Sequence, residues 1–205
     1  MRNPVLAGER VYLRPMEAED AEAFARMDAG ETDTFMYRHR VPSSPLEHAH
    51  FIGEAYTQQP PGSISLAVCL REDDRLIGSV GIYDLDWLHR TGETGSFLAP
   101  DARGQAYGTE AKHLLLEYCF DRLHLHVIRS HVAETNTRSA AALGKQGYRS
   151  AGRVKWDEVK NGRYIDGLIF DLTRPEWLAA RDAWRAGVSV ASSSPAPSPP
   201  PARPA

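Results

Sequence analysis

The chain has 205 residues, 42% of them hydrophobic, enough for one substantial core and short of what a second folded domain would need. Its formal net charge is only -3, with acidic and basic residues mixed along the sequence, so no polyanion-binding surface is announced and nucleic acid is excluded as an expected partner. No apolar run approaches the roughly 20 residues of a spanning helix, and Met1-Arg2-Asn3-Pro4 lacks the apolar segment of a secretory signal, so a cytoplasmic protein without a membrane partner is expected. The two cysteines, Cys69 and Cys119, fall in apolar runs and read as free core thiols in a reducing compartment.

In chain order, Arg10 to Arg14 alternates as a strand, and Glu17 to Ala29 carries Ala21, Phe24, Ala25 and Met27 at helical spacing. Ser44-Pro45-Leu46-Glu47 marks a helix start, with a serine cap, proline in the first position and glutamate three residues past the cap; the helix is predicted to reach about Gln58. Ser63 to Leu70 and Leu76 to Tyr83 form a predicted hairpin, and Thr91 to Leu98 a further strand. After Pro100-Asp101-Ala102-Arg103-Gly104-Gln105-Ala106-Tyr107-Gly108-Thr109-Glu110 comes a helix with Ala111, Leu114, Leu115, Tyr118 and Cys119 on one face. His126 to Glu134 is predicted as a strand, Arg138 to Gln146 as a helix, and Ser150 to Val159 and Arg163 to Leu172 as strands around Asn161-Gly162, a type I′ turn signal. Thr173-Arg174-Pro175-Glu176 starts a last helix towards Ala186. Alternation in the middle with hairpins at both ends predicts a single α/β domain with a mixed sheet over residues 1–186. Residues 187–205, rich in Pro, Ser and Ala, predict a disordered tail, with a polyproline-II docking segment as the alternative.

The turn at residues 100–111 is the most informative stretch. A helix start has main-chain N–H groups with no intrahelical partner and carries the positive end of the macrodipole, so small residues there let a diphosphate approach the backbone. Gly104 and Gly108 remove side chains and Ala106 adds a methyl; an alanine asks for negative φ and leaves less room for phosphate. Alone, the turn is equally an ordinary strand–turn–helix junction.

Two further segments extend the pattern. With Arg103, Ala106 and Gly108 at its three defined positions, the turn resembles the acyl-CoA pyrophosphate loop of the GNAT acetyltransferase superfamily, Q/R-x-x-G-x-G/A. Asn136 to Tyr148 resembles that superfamily's N-x-x-S-x-x-x-x-x-K-x-G-F/Y segment, and Leu6 to Pro15 with Glu19-Asp20-Ala21 resembles the opening of the branch that acetylates ribosomal-protein amino termini and many small amines. The resemblance covers about residues 5–178. It implies a single GNAT-type domain whose mixed, mostly antiparallel central sheet is flanked by helices and splays between the two strands that hold acyl-CoA. Acetyl-CoA is then the co-substrate, without a metal, and the acceptor is a primary amine, either a protein N-terminal α-amine or a small molecule. A non-catalytic acyl-CoA sensor is the alternative, and monomer and homodimer both stay open.

The same resemblance implies roles for single residues. Ser96, Phe97 and Leu98 would pair with pantetheine along a strand splayed by a bulge, and one N–H of that strand would hold the developing oxyanion. Arg103, Gly104, Gln105, Ala106, Tyr107, Gly108 and Thr109 would hold the pyrophosphate, with Arg138 and Lys145 as further cations, and Asn136 would contact the CoA amide or the substrate. Glu93 would take the amine proton, against a plain solvent-facing carboxylate; Asp84 and Asp86 are weaker candidates. Ser139 would hydrogen-bond the departing sulfur, against satisfying local backbone, and Asn136 equally reads as a helix cap. Tyr148 is expected in the core. Met36 to His39 and Trp87-Leu88-His89 would line the acceptor pocket or pack as surface loops. No pair among the eight histidines has metal-ligand spacing.

Overall fold

In the computed structural model, residues 1–31 and 41–187 are described. Met36 to His39 and the 188–205 part of the predicted tail lie outside them. Eight strands, β1 (Leu6–Ala7), β2 (Val11–Pro15), β3 (Ile64–Leu70), β4 (Leu76–Asp86), β5 (Thr91–Leu98), β6 (Val127–Ala133), β7 (Arg149–Lys160) and β8 (Arg163–Thr173), form one sheet in the order β1-β2-β3-β4-β5-β6-β8-β7. Every neighbouring pair is antiparallel except β5 and β6. The helices are α1 (Ala21–Ala29), α2 (Pro45–Ala55), α3 (Tyr107–Glu117), α4 (Thr137–Lys145) and α5 (Arg174–Arg185), and none of the described ones is long and apolar enough to cross a membrane.

The two sheet faces have separate cores. Val11, Leu13, Val68, Val80, Ile82, Ile128 and Leu172 point to one face and pack under α3, α4 and α5 through Leu115, Leu143 and Trp177. Tyr12, Ala67 and Cys69 point to the other, beneath Phe24 of α1 and Ile52 of α2. The period-2 alternation of β2 is thus read on both sides, which is why all of Val11 to Arg14 is buried.

Local signals placed most of these elements. Ser44 Oγ accepts from Leu46 N at 3.2 Å, and Asn161 and Gly162 take φ of 51° and 73°, as a type I′ turn requires. The differences are tertiary. α2 stops at Ala55, short of the expected Gln58, where Tyr56 OH accepts from Met16 N at 2.7 Å and donates to Ser65 O at 2.8 Å. The two-residue strand β1 is too short to show periodicity, and a π-helical turn, Tyr118–Arg122, extends α3. α5, whose place in the core the sequence left open, buries Trp177 completely against Phe120, ring centroids 5.5 Å apart.

Both cysteines are free and fully buried. Burial pushes the Cys119 thiol up to about 12, which removes it as a thiolate nucleophile near neutral pH. Lys112, on the inner side of α3, is only 3% exposed. Desolvation lowers its pKa to about 7, partly offset by Cys119 and Glu93. Below pH 7 the lysine is charged both folded and unfolded, and the fold bears the whole desolvation cost. Between about 7 and its unfolded value of 10.5 only the unfolded chain holds the proton, so this group makes stability rise with pH there. We expect thermal melts to show stability climbing from pH 7 towards 9, and Lys112→Met to raise Tm at pH 7 and flatten that climb, with a gain on the order of 2 kcal/mol. An unchanged slope in the variant would show that Lys112 is not its source.

Candidate active site

The decisive feature of the sheet is where its parallel pair stops. Thr91, Gly92 and Glu93 pair with Val127, Ile128 and Arg129, and no further; β5 runs on to Leu98 and β6 to Ala133 with no more ladder pairs between them. Side chains take over from the ladder at the point of separation. Ser130 Oγ donates to Thr94 O at 3.0 Å, Thr94 Oγ1 donates to Arg129 O at 3.4 Å, and the buried Tyr148 OH lies 2.7 Å from the same Thr94 oxygen. β6 keeps its other partner, β8, through Ala133 opposite Gly167. A wedge therefore opens between β5 and β6 with Glu93 at its apex. The bulge expected on the splayed strand itself is in β4, where Asp84 and Leu85 together oppose Gly92 between the pairs Tyr83–Glu93 and Asp86–Thr91.

Main-chain groups of alternate residues on a strand point to the same edge. Because Thr94 O faces β6, so do the N–H and C=O of Ser96. Leu98 O lies on that edge too and is already taken by Arg103 Nε at 2.8 Å. The edge leads straight into residues 100–106. Ala106 is the cap residue of α3 with φ 62° and ψ 4°, and among the described residues no side chain caps the helix. The expectation of negative φ at Ala106 is corrected: the alanine is left-handed, a conformation costing a non-glycine residue roughly 1–2 kcal/mol. Gly104 is also at positive φ, 79°. Thr109 and Glu110 are the first helix residues whose N–H groups find main-chain acceptors, both on Ala106 O, so among the described residues the earlier ones are left over. Gly104, Gln105 and Ala106 are exposed, while Tyr107, Gly108 and Thr109 are half-buried. Uncapped N–H groups, alternating backbone handedness and the helix dipole are the features on which a concave anion site is built.

Glu93 is half-buried, and its side chain alternates with that of Thr94, which joins the α3-side core. Glu93 therefore faces the side of the sheet that α1 and α2 cover further along. Ser139 and Asn136 come together at the start of α4, where Asn136 Oδ1 accepts from Ser139 N at 3.2 Å, so the asparagine caps the helix. Lys145 is exposed at the opposite end of α4, and Arg138 is exposed in its first turn. Phe97 is half-buried with the Arg103 guanidinium 5.8 Å from its ring centroid. Arg103 itself is committed, bonded to Leu98 O and to the carboxylate of Glu31, a residue after the end of α1 whose side chain is 2% exposed. Asp86 accepts from His89 N at 2.7 Å and lies 2.8 Å from His89 Nδ1, so it closes its turn. Trp87 donates to Pro61 O at 2.8 Å and Leu88 is 85% exposed. Among the described residues, no three His, Cys, Asp or Glu side chains gather as a metal ion would require.

The sequence reading passed over Glu110 and Arg10. Glu110 is 5% exposed in the first turn of α3 and accepts from Arg10 N at 2.9 Å and Val11 N at 3.4 Å. An acidic residue in a helix's first turn is a recognisable signal, but its partners lie about a hundred positions earlier and leave no local trace.

Residues 10–149 match the family described as the acetyltransferase (GNAT) domain. The chain belongs to the GNAT acetyltransferase family. It is 24% identical over 172 residues to a putative ribosomal N-acetyltransferase, YdaF of Bacillus subtilis, spanning 82% of this chain and 94% of that protein. It is 31% identical over 103 residues to the spermidine N(1)-acetyltransferase of Vibrio cholerae, spanning 50% of this chain and 60% of that one. Mycobacterium smegmatis RimJ in complex with CoA-disulfide shares the fold with a TM-score of 0.74 and 25% identity, covering 86% of this chain and 89% of that chain. The protein is accordingly an acyltransferase with a GNAT fold, and the likeness to the ribosomal-protein branch holds in both sequence and structural relatives.

The GNAT fold uses acetyl-CoA, and the site's chemistry suits it. A diphosphate needs donors without a bulky side chain in the way, which the uncapped start of α3 supplies. A pantetheine amide needs an unpaired strand edge, which β5 offers once β6 has left it.

Proposed function

We propose that this protein transfers the acetyl group of acetyl-CoA to a primary amine by direct attack within a ternary complex, residues 1–186 acting as one catalytic domain in the cytoplasm. The observation that carries the reading is the wedge, which sets an unpaired strand edge between an uncapped helix start and a carboxylate. The leftover N–H groups from Gly104 to Gly108 hold the pyrophosphate, with Thr109 beside them at the helix start, and the edge at Ser96 to Leu98 pairs with pantetheine. Ser96 N–H faces the opening and donates to the thioester oxygen as charge builds on it, a type of interaction worth about 2.7–4 kcal/mol of barrier. Acetyl-CoA supplies an activated acyl carbon; the protein's part is to orient it and manage two protons.

The incoming amine is mostly protonated at neutral pH, since an α-amine has a pKa of about 7.7–8.0 and a lysine-type amine about 10.4. Glu93, at the apex, accepts that proton directly or through one water. The amine nitrogen then bonds to the acyl carbon and the carbon–sulfur bond breaks; the nitrogen sheds its second proton to solvent, and the sulfur leaves as thiolate or is protonated through the Ser139 hydroxyl, which regains that proton from solvent. Because a thiol's pKa is near 8.5, the thiolate leaves without a strong acid, and Ser139→Ala should cost only about 2–10-fold in kcat. Arg103 serves by holding the loop, and Asn136 by capping α4 under Ser139. Lys145 and Arg138 give a weaker, long-range attraction for the anionic cofactor.

For the acceptor, we favour an α-amine of a peptide or a small monoamine over a polyamine. Asp28, Glu31 and Asp86, on α1, just after α1, and at the end of β4, already face His48, Arg103 and His89, so they are not spare counter-charges for a polycation. The test is release of CoA thiol from acetyl-CoA with peptides bearing free amino termini, spermidine and small monoamines. Turnover confined to peptides or monoamines supports the assignment; faster turnover of spermidine overturns the acceptor choice. Tight desulfo-CoA binding with no turnover on any amine overturns catalysis and leaves an acyl-CoA sensor.

A further inference from the structure

Arg10 stands far from the phosphate loop in sequence and against it in space. It lies in the turn between β1 and β2, and its Nη1 donates to Gln105 O at 2.9 Å. Its guanidinium carbon sits 4.2 Å from the Tyr107 ring centroid, and its main-chain N–H donates to Glu110 Oε1 at 2.9 Å. Gly8 of the same turn permits this approach, since a Cβ there would fall 2.2 Å from Glu110 Oε1. One turn thus holds residues 105, 107 and 110, the outer wall of the loop and the first turn of its helix.

The bond to Gln105 O has a directional consequence. In a trans peptide the C=O and the following N–H point in opposite directions, so fixing Gln105 O aims the Ala106 N–H away from Arg10 and out of the loop. Ala106 is where such a constraint matters, because it is a non-glycine residue held at φ 62°. A charged donor on the carbonyl also polarises the peptide and strengthens its N–H as a donor. Arg103, the cation inside the loop, is occupied by Glu31 and Leu98 O and does not substitute.

We propose that Arg10 is a positioning residue of the cofactor site: it locks the Gln105–Ala106 peptide in the orientation that presents Ala106 N–H to a phosphate. This rests on the acetyl-CoA reading above. Its signature is a coupling between Arg10 and Ala106. Glycine at 106 adopts positive φ without strain, so the lock matters less there.

The experiment is a double-mutant cycle on the full chain, Arg10→Met, Ala106→Gly and both together, with Arg10→Lys as the conservative variant. Desulfo-CoA affinity is read by calorimetry, steady-state kinetics are run with acetyl-CoA varied, and folding is checked by thermal melts. Arg10→Met should weaken desulfo-CoA and raise KM for acetyl-CoA by about 10-fold, with kcat within about 2-fold of wild type. The same change in the Ala106→Gly background should cost about 3-fold or less, and Arg10→Lys should recover part of the loss by keeping a charged donor. Equal losses in both backgrounds, wild-type affinity in Arg10→Met, or a fall confined to kcat would overturn the proposal. If Arg10→Met does not fold, the cycle is run with Arg10→Lys, for which a smaller loss that shrinks further in the Ala106→Gly background is expected and equal losses in both backgrounds overturn the proposal. Wild-type protein that fails to bind desulfo-CoA sinks the acetyl-CoA reading itself; wild-type binding with an uncoupled Arg10 sinks this inference alone.

Discussion

Replacing Glu93 by glutamine should lower kcat by about 10²–10⁴-fold, the range typical of losing a positioned general base. Glutamine keeps the size and much of the hydrogen bonding but cannot take a proton. KM for acetyl-CoA should change little, because main-chain groups of the loop and strand edge hold the cofactor and Glu93 contributes none of them. The pH profile separates a lost base from a disturbed fold. Without the carboxylate, the reaction depends on acceptor that has already lost its proton in solution. Activity of Glu93→Gln should therefore rise with pH up to the acceptor's own pKa, about 7.7–8.0 for an α-amine. A variant retaining a third or more of wild-type kcat would remove Glu93 from the mechanism and return attention to Asp84, at φ 48° in the β4 bulge beside it.

The largest stability effect is expected at Arg14 and Asp20. They form a two-pronged pair, both contacts 2.7 Å, with the residues 3% and 5% exposed. Asp20 also accepts from Glu17 N at 2.8 Å, closing the turn that leads into α1. Asp20→Asn leaves the Arg14 charge buried without its counter-ion, at a cost of about 3–5 kcal/mol, or on the order of 10 °C in Tm for a chain of this size. Substituting both by apolar residues, Arg14→Met with Asp20→Leu, should recover much of the loss, since the desolvation of both charges disappears too. Burial alone would raise the Asp20 pKa, but the Arg14 bonds and the Glu17 N–H outweigh it and hold the carboxyl below its ordinary 3.8. A lowered folded pKa means the stabilisation is complete above the unfolded value and lost as pH falls below it. Acid unfolding monitored by circular dichroism should thus begin at higher pH in Asp20→Asn. An undiminished Tm in the single variant would show that the pair does not secure α1. The consequence reaches the site, because Glu31, just beyond α1, is the partner of Arg103 in the loop.

How far the site was legible follows the range of the forces that build it. The order of strands and helices, the Ser44 cap, the Asn161-Gly162 turn and the small-residue start of α3 are set by periodicity, capping and backbone preference among residues a few positions apart, and all can be read from the chain. Glu93 and Ser139 were nameable only through resemblance to a family pattern, because neither carries a local sign of its role. The left-handed Ala106 ran against its own backbone preference: Arg10 and Glu110 link the β1–β2 turn to the loop and helix around it from 95 and 100 positions apart. The wedge was likewise decided in three dimensions, where Ser130, Thr94 and Tyr148 replace a strand ladder and β6 stays with β8. By itself the sequence determined a GNAT-type α/β domain with a helix start suited to a diphosphate. Only the tertiary structure decided which cation is spent on Glu31, which one braces the loop, and where the sheet parts, since each depends on contacts between segments that nothing local brings together.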